Sequence, residues 1–341
     1  MIGNSKSHDT KKFDYDLRLQ EIFDTVMENR YKIILIQFPE GLKKIATDVR
    51  DIIEERTDAT VIISADPCFG ACDIPLSLSD LKIDLLVQFG HSNIPNITCS
   101  VPTMFIEAQS DLDVIPIVKK AMKHLNGTVG IISTVQHIHK LQEVKNFLTK
   151  NGFSTRIGKG SFRSENNGQV LGCDISSATT ISSLIDCYLF IGSGNFHALG
   201  VAIVTKKPVF IADPYQNEVR ETGSLIERFL RQRHGAIARA KDASSYGILV
   251  GTKPGQTRLE MAYELKKLLE KHQKKGYILI LNQFSPIHLK PFKIDAYVST
   301  ACPRIAIDDY LMYEAPMLTP QELRIVLGEA KWEDYKFDEI I

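Results

Sequence analysis

The residues best suited to chemistry in this 341-residue chain are three cysteines, Cys72, Cys173 and Cys302. Small neighbours flank each sulfur: Gly70-Ala71, Gly172 and Ala301. So little side-chain volume lets backbone approach a bulky bound group closely. Thiolates select soft or borderline metals such as zinc and iron-sulfur clusters, and a 4Fe-4S cluster held by three cysteines leaves one iron open to a substrate. The three lie far apart in sequence, so only a meeting of separate domains could bring them together. Cys68 and Cys72 form a C-x3-C pair, but Pro75 stands where a C-x3-C-x2-C cluster motif needs its last cysteine. A single-loop cluster is therefore excluded; Cys72 is the expected ligand of the pair and Cys68 its neighbour or substitute. Cys99 and Cys187 are expected to be small core residues, because free cysteine is among the most buried residue types.

Elements able to position such thiols are legible as short apolar runs alternating with helical periodicity, the pattern of parallel sheets. Strands are predicted over 32–37, 60–64, 84–89 and 101–106, then over 128–133, 154–157, 185–191 and 208–212, and again over 245–250, 277–281 and 296–299. Helices are predicted over 13–30, 42–56, 138–151, 217–240 and 257–271. A last helix starts at Thr319-Pro320-Gln321-Glu322, a capping box with proline at the first helical position. The order recurs at about 110 residues, too long for a solenoid and right for a triplication. The expected fold is α/β: three related α/β domains, 1–110, 111–216 and 217–341, with parallel-rich sheets around a central site. Ligands collect outside the carboxyl ends of such strands, and all three cysteines fall in that class of position. The basic helix carrying Arg228, Arg231, Arg233, His234, Arg239 and Lys241 reads as a solvated face, and the acidic end as a solvated or loosely docked tail.

Forty-one basic and 41 acidic side chains cancel, so no overall field draws the molecule to nucleic acid or a membrane. The start, Met1 to Lys12, is polar, and no apolar run approaches the roughly 20 residues that span a bilayer. Sparse cysteines in a large chain argue for a reducing compartment, and the expected location is cytoplasmic.

Several segments together resemble a known family. They are Asp-Pro-Cys-Phe-Gly-Ala-Cys-Asp at 66–73, Gly90-His91-Ser92, Ser133-Thr134-Val135-Gln136, Leu171-Gly172-Cys173, Gly192-Ser193-Gly194-Asn195-Phe196-His197, Asp213-Pro214-Tyr215, Lys253-Pro254-Gly255-Gln256 and Ala301-Cys302-Pro303-Arg304. They are similar to those of the 2-(3-amino-3-carboxypropyl)histidine synthases of diphthamide biosynthesis, from about Lys32 to about Tyr310. The resemblance implies a 4Fe-4S cluster on Cys72, Cys173 and Cys302, with S-adenosylmethionine at the open iron. It also implies radical transfer of a 3-amino-3-carboxypropyl group to a histidine imidazole carbon of translation elongation factor 2, with methylthioadenosine released. The implied partners are that factor, an external electron donor and, in the archaeal-type arrangement, a second copy of the chain.

Within this reading the cosubstrate is expected near Gln136, Gly192, Gly194, His197 and Asp213. Gly192 and Gly194 would offer backbone N–H groups, Asp213 a carboxylate for the sulfonium or amino group, and Gln136 a hydrogen bond to the polar tail. The plain alternative is that Gly-x-Gly and Asp-Pro are turn residues only. His91 and His197 are either proton carriers or structural, and Glu40 either a helix-start carboxylate or a site residue. Two other functions compete: a quinolinate-synthase-like 4Fe-4S enzyme that condenses and dehydrates small molecules, and a zinc-stabilised scaffold, which would normally need four protein ligands.

Overall fold

The computed structural model describes residues 13–75, 78–95 and 97–340. The polar segment Met1 to Lys12 and the last residue, Ile341, lie outside the described residues. The first unit holds β1 (Tyr15–Asp16), α1 (Leu19–Asn29), β2 (Ile33–Gln37), α2 (Ala46–Arg56), β3 (Thr60–Ile63), β4 (Leu85–Phe89), β5 (Thr103–Ile106) and β6 (Gln109–Ser110). The second holds α3 (Ile115–Ala121), β7 (Thr128–Ser133), α4 (Leu141–Lys150), β8 (Ser154–Arg156), α5 (Ser176–Thr179), β9 (Cys187–Ile191), α6 (Phe196–Thr205), β10 (Val209–Asp213) and β11 (Glu218–Glu221). The third holds α7 (Gly223–Ala240), β12 (Ser245–Gly251), α8 (Leu259–Lys271), β13 (Lys275–Leu281), α9 (Pro286–Leu289), β14 (Ala296–Ser299), α10 (Pro303–Ile307), β15 (Met317–Leu318) and α11 (Pro320–Val326).

The three main sheets repeat one parallel order: β3-β2-β4-β5, β8-β7-β9-β10 and β13-β12-β14-β15. In each, the first strand is flanked by the second and third, so the connections wind in both directions and leave a switch point at the carboxyl ends. In each main sheet the central strand is buried on both faces: Ile34 and Ile36 enter one core and Leu35 another, Ile131 and Ile132 separate likewise, and so do Ile248 and Leu249. That is why these strands read as unbroken apolar runs. A second signature repeats as well. Asp84, Asp186 and Asp295, each just ahead of its unit's third strand, accept backbone N–H groups at the start of the first strand: from Lys32 and Ile33 at 2.8 and 2.9 Å, from Thr128 at 2.7 Å, and from Ser244 and Ser245 at 3.1 and 2.9 Å. Each carboxylate joins the two central strands where the ladder begins.

Four expectations are corrected. The first helix begins at Leu19, not residue 13, because Tyr15–Asp16 pairs antiparallel with β6 and Arg18 takes left-handed backbone, φ 47°. The helix expected from 217 begins at Gly223, because Glu218–Glu221 first forms an antiparallel edge on β10, carrying the second sheet past residue 216. Arg233 leaves the solvated row of its helix: it is fully buried and its guanidinium forks onto Glu322 at 2.7 and 2.6 Å. The acidic end is neither solvated nor loose. Phe337 packs with Phe196 and Phe229, Asp338 pairs with Arg258 at 2.6 Å, Glu339 accepts the Ile175 N–H at 3.0 Å, and the Ile340 N–H reaches the Cys173 carbonyl at 2.9 Å. Among the described residues no helix is long and apolar enough to cross a membrane.

Candidate metal centre

Carboxyl-end turns from all three units face one cavity of about 210 Å3. Cys72 comes from the loop after β3, Cys173 from the loop after β8, and Cys302 from the turn after β14; all three line it. A charge on Cys72 or Cys173 would push Cys302 up further, and Cys72 acts on Cys173 in the same way, so the three sulfurs are within Coulombic reach of one another. Burial pushes all three thiols up, Cys173 to about 11. Thiols held neutral by burial become ligands when a bound metal removes their protons. The donor set therefore fits an iron-sulfur cluster. Among the described residues no three His, Cys, Asp or Glu side chains are close enough to hold a single ion, so the thiols are spaced more widely than the ligands of one zinc.

Close approach of the third unit makes this meeting possible. A Cβ on Gly255 would lie 2.4 Å from the Cβ of Cys72 and 2.4 Å from Ile97 Cδ1. Only glycine fits there. Beside it the Gln256 side-chain amide donates to Cys72 Sγ at 3.3 Å, and Lys253 pairs with Asp73 at 2.6 Å, both side chains buried. Asp73 is also fixed by the Phe69 N–H at 3.0 Å, so the Cys72 loop is clamped from its own unit and from the third.

The residues singled out in the sequence separate into two groups. Gln136 and His197 line the cavity; Gln136 donates to the Gly90 carbonyl at 2.9 Å, and the His197 ring stacks on Phe190 and meets Phe196 edge-on. His91 lines it too, and burial lowers both imidazoles to about 4, with Arg304 adding to the effect on His197. Gly192, Gly194 and Asp213 stand away from the lining. The Gly192 N–H is spent on the Ala212 carbonyl at 3.1 Å, and Gly194 turns through left-handed backbone, φ 80°, at an exposed position. Asp213 is fully buried, accepting from Tyr215 and Gln216 N–H at 3.0 and 3.1 Å and from Arg220 at 3.2 Å; it caps a turn. Glu40 pairs with Lys43 at 2.6 Å on the surface, as a helix-start carboxylate does.

Of the remaining cysteines, Cys187 is a core residue, buried and donating to the Asn126 carbonyl at 3.3 Å. Cys99 meets expectation in part: it packs, half-buried, against the core of Leu35, Ile74 and Leu78, and it also lines a polar cleft with Arg18, Glu107 and Glu165. Cys68 is buried behind the cavity wall, 3.9 Å from His91 Nδ1. Sequence reasoning quoted Arg304 and Gln256 inside motifs without giving them roles, and passed over Arg163. Arg304 lines the cavity from the first turn after Cys302, with its guanidinium 5.3 Å from the centre of the Phe196 ring. Its position two residues from a candidate ligand was the available signal; Arg163 offered none, since it sits in an irregular polar loop.

Comparison with known proteins follows this geometry. The diphthamide synthesis protein family model matches residues 38–336. A Pyrococcus horikoshii protein named 2-(3-amino-3-carboxypropyl)histidine synthase is 38% identical over 331 residues, covering 96% of this chain and 94% of that protein. A Methanocaldococcus jannaschii protein of the same name is 28% identical, covering 93% and 90%. The crystal structure of Dph2 from Pyrococcus horikoshii with a 4Fe-4S cluster superposes with a TM-score of 0.88 at 36% identity, covering 96% of this chain and 94% of that one.

Proposed function

The chain belongs to the diphthamide synthesis protein family, and from that premise we propose that it is a 2-(3-amino-3-carboxypropyl)histidine synthase. It moves the 3-amino-3-carboxypropyl group of S-adenosylmethionine to an imidazole carbon of a histidine on translation elongation factor 2, releasing methylthioadenosine. The observation that carries this reading is the convergence of Cys72, Cys173 and Cys302 on one cavity. Those three thiolates would hold a 4Fe-4S cluster, which when bound supplies an open iron and the single electron for reductive cleavage of a sulfonium C–S bond.

The chain's own residues supply binding and proton handling. Arg304 is the one cation among the lining residues; its Nε pairs with Asp308 at 2.9 Å, outside the lining, and its Nη groups are left to meet the α-carboxylate of an amino-acid moiety. Gln136, already fixed on Gly90, presents its remaining amide oxygen as an acceptor for an ammonium group. Phe69, exposed at the rim, and His197, backed by the buried ring of Phe196, provide walls that limit water. The imidazole carbon that gains the new bond must lose a proton and, because the group arrives as a one-electron radical, also one electron, which would return to a bound cluster. His91 and His197, held neutral by burial, are the bases on the cavity wall.

A homodimer in the cytoplasm, served by an external electron donor, completes the proposal. Edge strand β13 leaves Tyr277 and Ile280, on its two opposite faces, exposed at 47% and 65%, an edge suited to pairing with a second copy. Sedimentation velocity checks that arm. The chemistry is tested by anaerobic reconstitution and electron paramagnetic resonance of the dithionite-reduced protein, with and without S-adenosylmethionine, followed by product analysis. A 4Fe-4S signal that changes on addition, with methylthioadenosine formed, supports the reading. An unchanged signal or 5′-deoxyadenosine as product would overturn it.

A further inference from the structure

Among the described residues every buried or nearly buried Arg or Lys except one has a carboxylate. Arg233 pairs with Glu322, Lys253 with Asp73 and Arg258 with Asp338, each at 2.6 Å. Arg163, 4% exposed, has no carboxylate partner among the described residues. Its Nη2 donates to the Gly255 carbonyl at 3.3 Å and approaches Cys173 Sγ at 3.9 Å, while its Nε is buried with no partner at all. The cation is held there deliberately. Its N–H donates to Ser161 Oγ at 3.0 Å, and Ser161 Oγ donates to Asp174, the neighbour of Cys173, at 2.6 Å. A buried cation without a counter-charge is strongly unfavourable, as is one left behind when a buried ion pair is broken. A negative charge therefore belongs beside it.

The inference rests on the cluster reading above. Three thiolates outweigh the charge of an oxidised 4Fe-4S core, and one-electron reduction adds a further negative charge, so the bound group is the anion that Arg163 lacks. Two of the thiols have side-chain N–H donors, the Gln256 amide for Cys72 and the Arg163 guanidinium for Cys173. Only Arg163 brings a full charge by its side chain, and it does so from behind the cavity, since it is absent from the lining. We propose that Arg163 is a positioning and tuning residue: it balances the charge of the cluster on Cys72, Cys173 and Cys302 and raises its reduction potential, placing the one-electron reduced state within reach of a donor. Hydrogen bonding and charge around cluster sulfurs are established levers on such potentials.

The test is a redox titration, followed by electron paramagnetic resonance, of reconstituted wild type, Arg163→Gln, Arg163→Lys and Gln256→Ala, with iron and sulfide counted in each. Arg163→Gln is expected to keep four irons and to lose about tenfold in its reduced fraction at fixed potential, about 59 mV for a one-electron couple. Arg163→Lys, which keeps the charge but loses the fork, should fall between that and wild type, and Gln256→Ala should shift less than Arg163→Gln. An unchanged potential in whichever Arg163 variant retains four irons would overturn the proposal. So would loss of the cluster from both Arg163 variants with the fold intact by circular dichroism, since Arg163 would then be a clamp and not a tuning group. Failure of wild type itself to take a cluster would instead remove the functional reading beneath it.

Discussion

Cys72 and Cys173 leave their sheets at equivalent points, after the second strand of the unit, whereas Cys302 follows the third strand of its own. In the third unit the loop after β13 carries no cysteine, and it is the loop after β12 that crosses to the site, bringing Lys253, Gly255 and Gln256 against Cys72. The scaffold is thus repeated three times, but the site is not three-fold. Two units offer a thiol from a long loop, and the third both supplies its thiol from a tight turn at α10 and clamps a thiol that is not its own. Repetition of a fold fixes where loops emerge; it does not oblige them to carry the same chemistry.

Removing a thiol should have the largest effect and tests whether the inequivalent positions are equal as ligands. Cys72→Ala, Cys173→Ala and Cys302→Ala are each expected to lower bound iron and abolish transfer, while Cys99→Ala and Cys187→Ala keep both; iron analysis and the transfer assay decide. Full cluster and activity in all three single variants would dismiss the ligand assignment. Next comes the clamp. Lys253→Met strands the buried Asp73 carboxylate and should cost about 3–5 kcal/mol, much of it restored in the Lys253→Met, Asp73→Leu double variant, as read from denaturant unfolding. A cost confined to a few tenths would mean that the third unit does not hold the Cys72 loop.

Gly255→Ala sharpens the same contrast at smaller cost. The added methyl meets the Cys72 Cβ at 2.4 Å, so a loss of about 1–3 kcal/mol and weaker iron retention against a chelator are expected. The smallest effect concerns pH. Among the described residues the imidazoles pushed down to about 4, His91, His137 and His197, all belong to the first two units; burial is the main cause in each, and His137 has no partner for either ring nitrogen. Below about 6.5 the unfolded chain takes up protons that the folded rings refuse, so stability should decline as pH falls from about 6.5 towards 4. His137→Phe, lying outside the cavity lining, should flatten that decline without changing iron content, which unfolding midpoints across the range would show.

How far the sequence reached can be argued residue by residue. Strands such as Thr128–Ser133 and Ala296–Ser299 were legible to the residue, because a strand buried on both faces must be an uninterrupted apolar run. The capping box at Thr319 formed as its residue types require, with the Glu322 N–H reaching Thr319 Oγ1 at 3.3 Å and the Thr319 N–H reaching Glu322 at 2.8 Å. The meeting of Cys72, Cys173 and Cys302 was foreseen from their place after strands. Local and repeated patterns therefore determined the three-sheet α/β class and the candidate thiols.

Only the tertiary structure decided which side chains face those thiols. Asp213 and Gly192 follow strand ends as Gln136 does, yet they turn into Arg220 and the sheet ladder, while Gln136 enters the cavity. The tail looked solvated because its charge is local information, but its ion pair with Arg258 and its hydrogen bond to Cys173 join partners far away in sequence. Arg163 and Gln256 become sulfur donors for the same reason. A strand is specified by the residues within it, whereas the partner of a loop side chain depends on how the three sheets are set against one another.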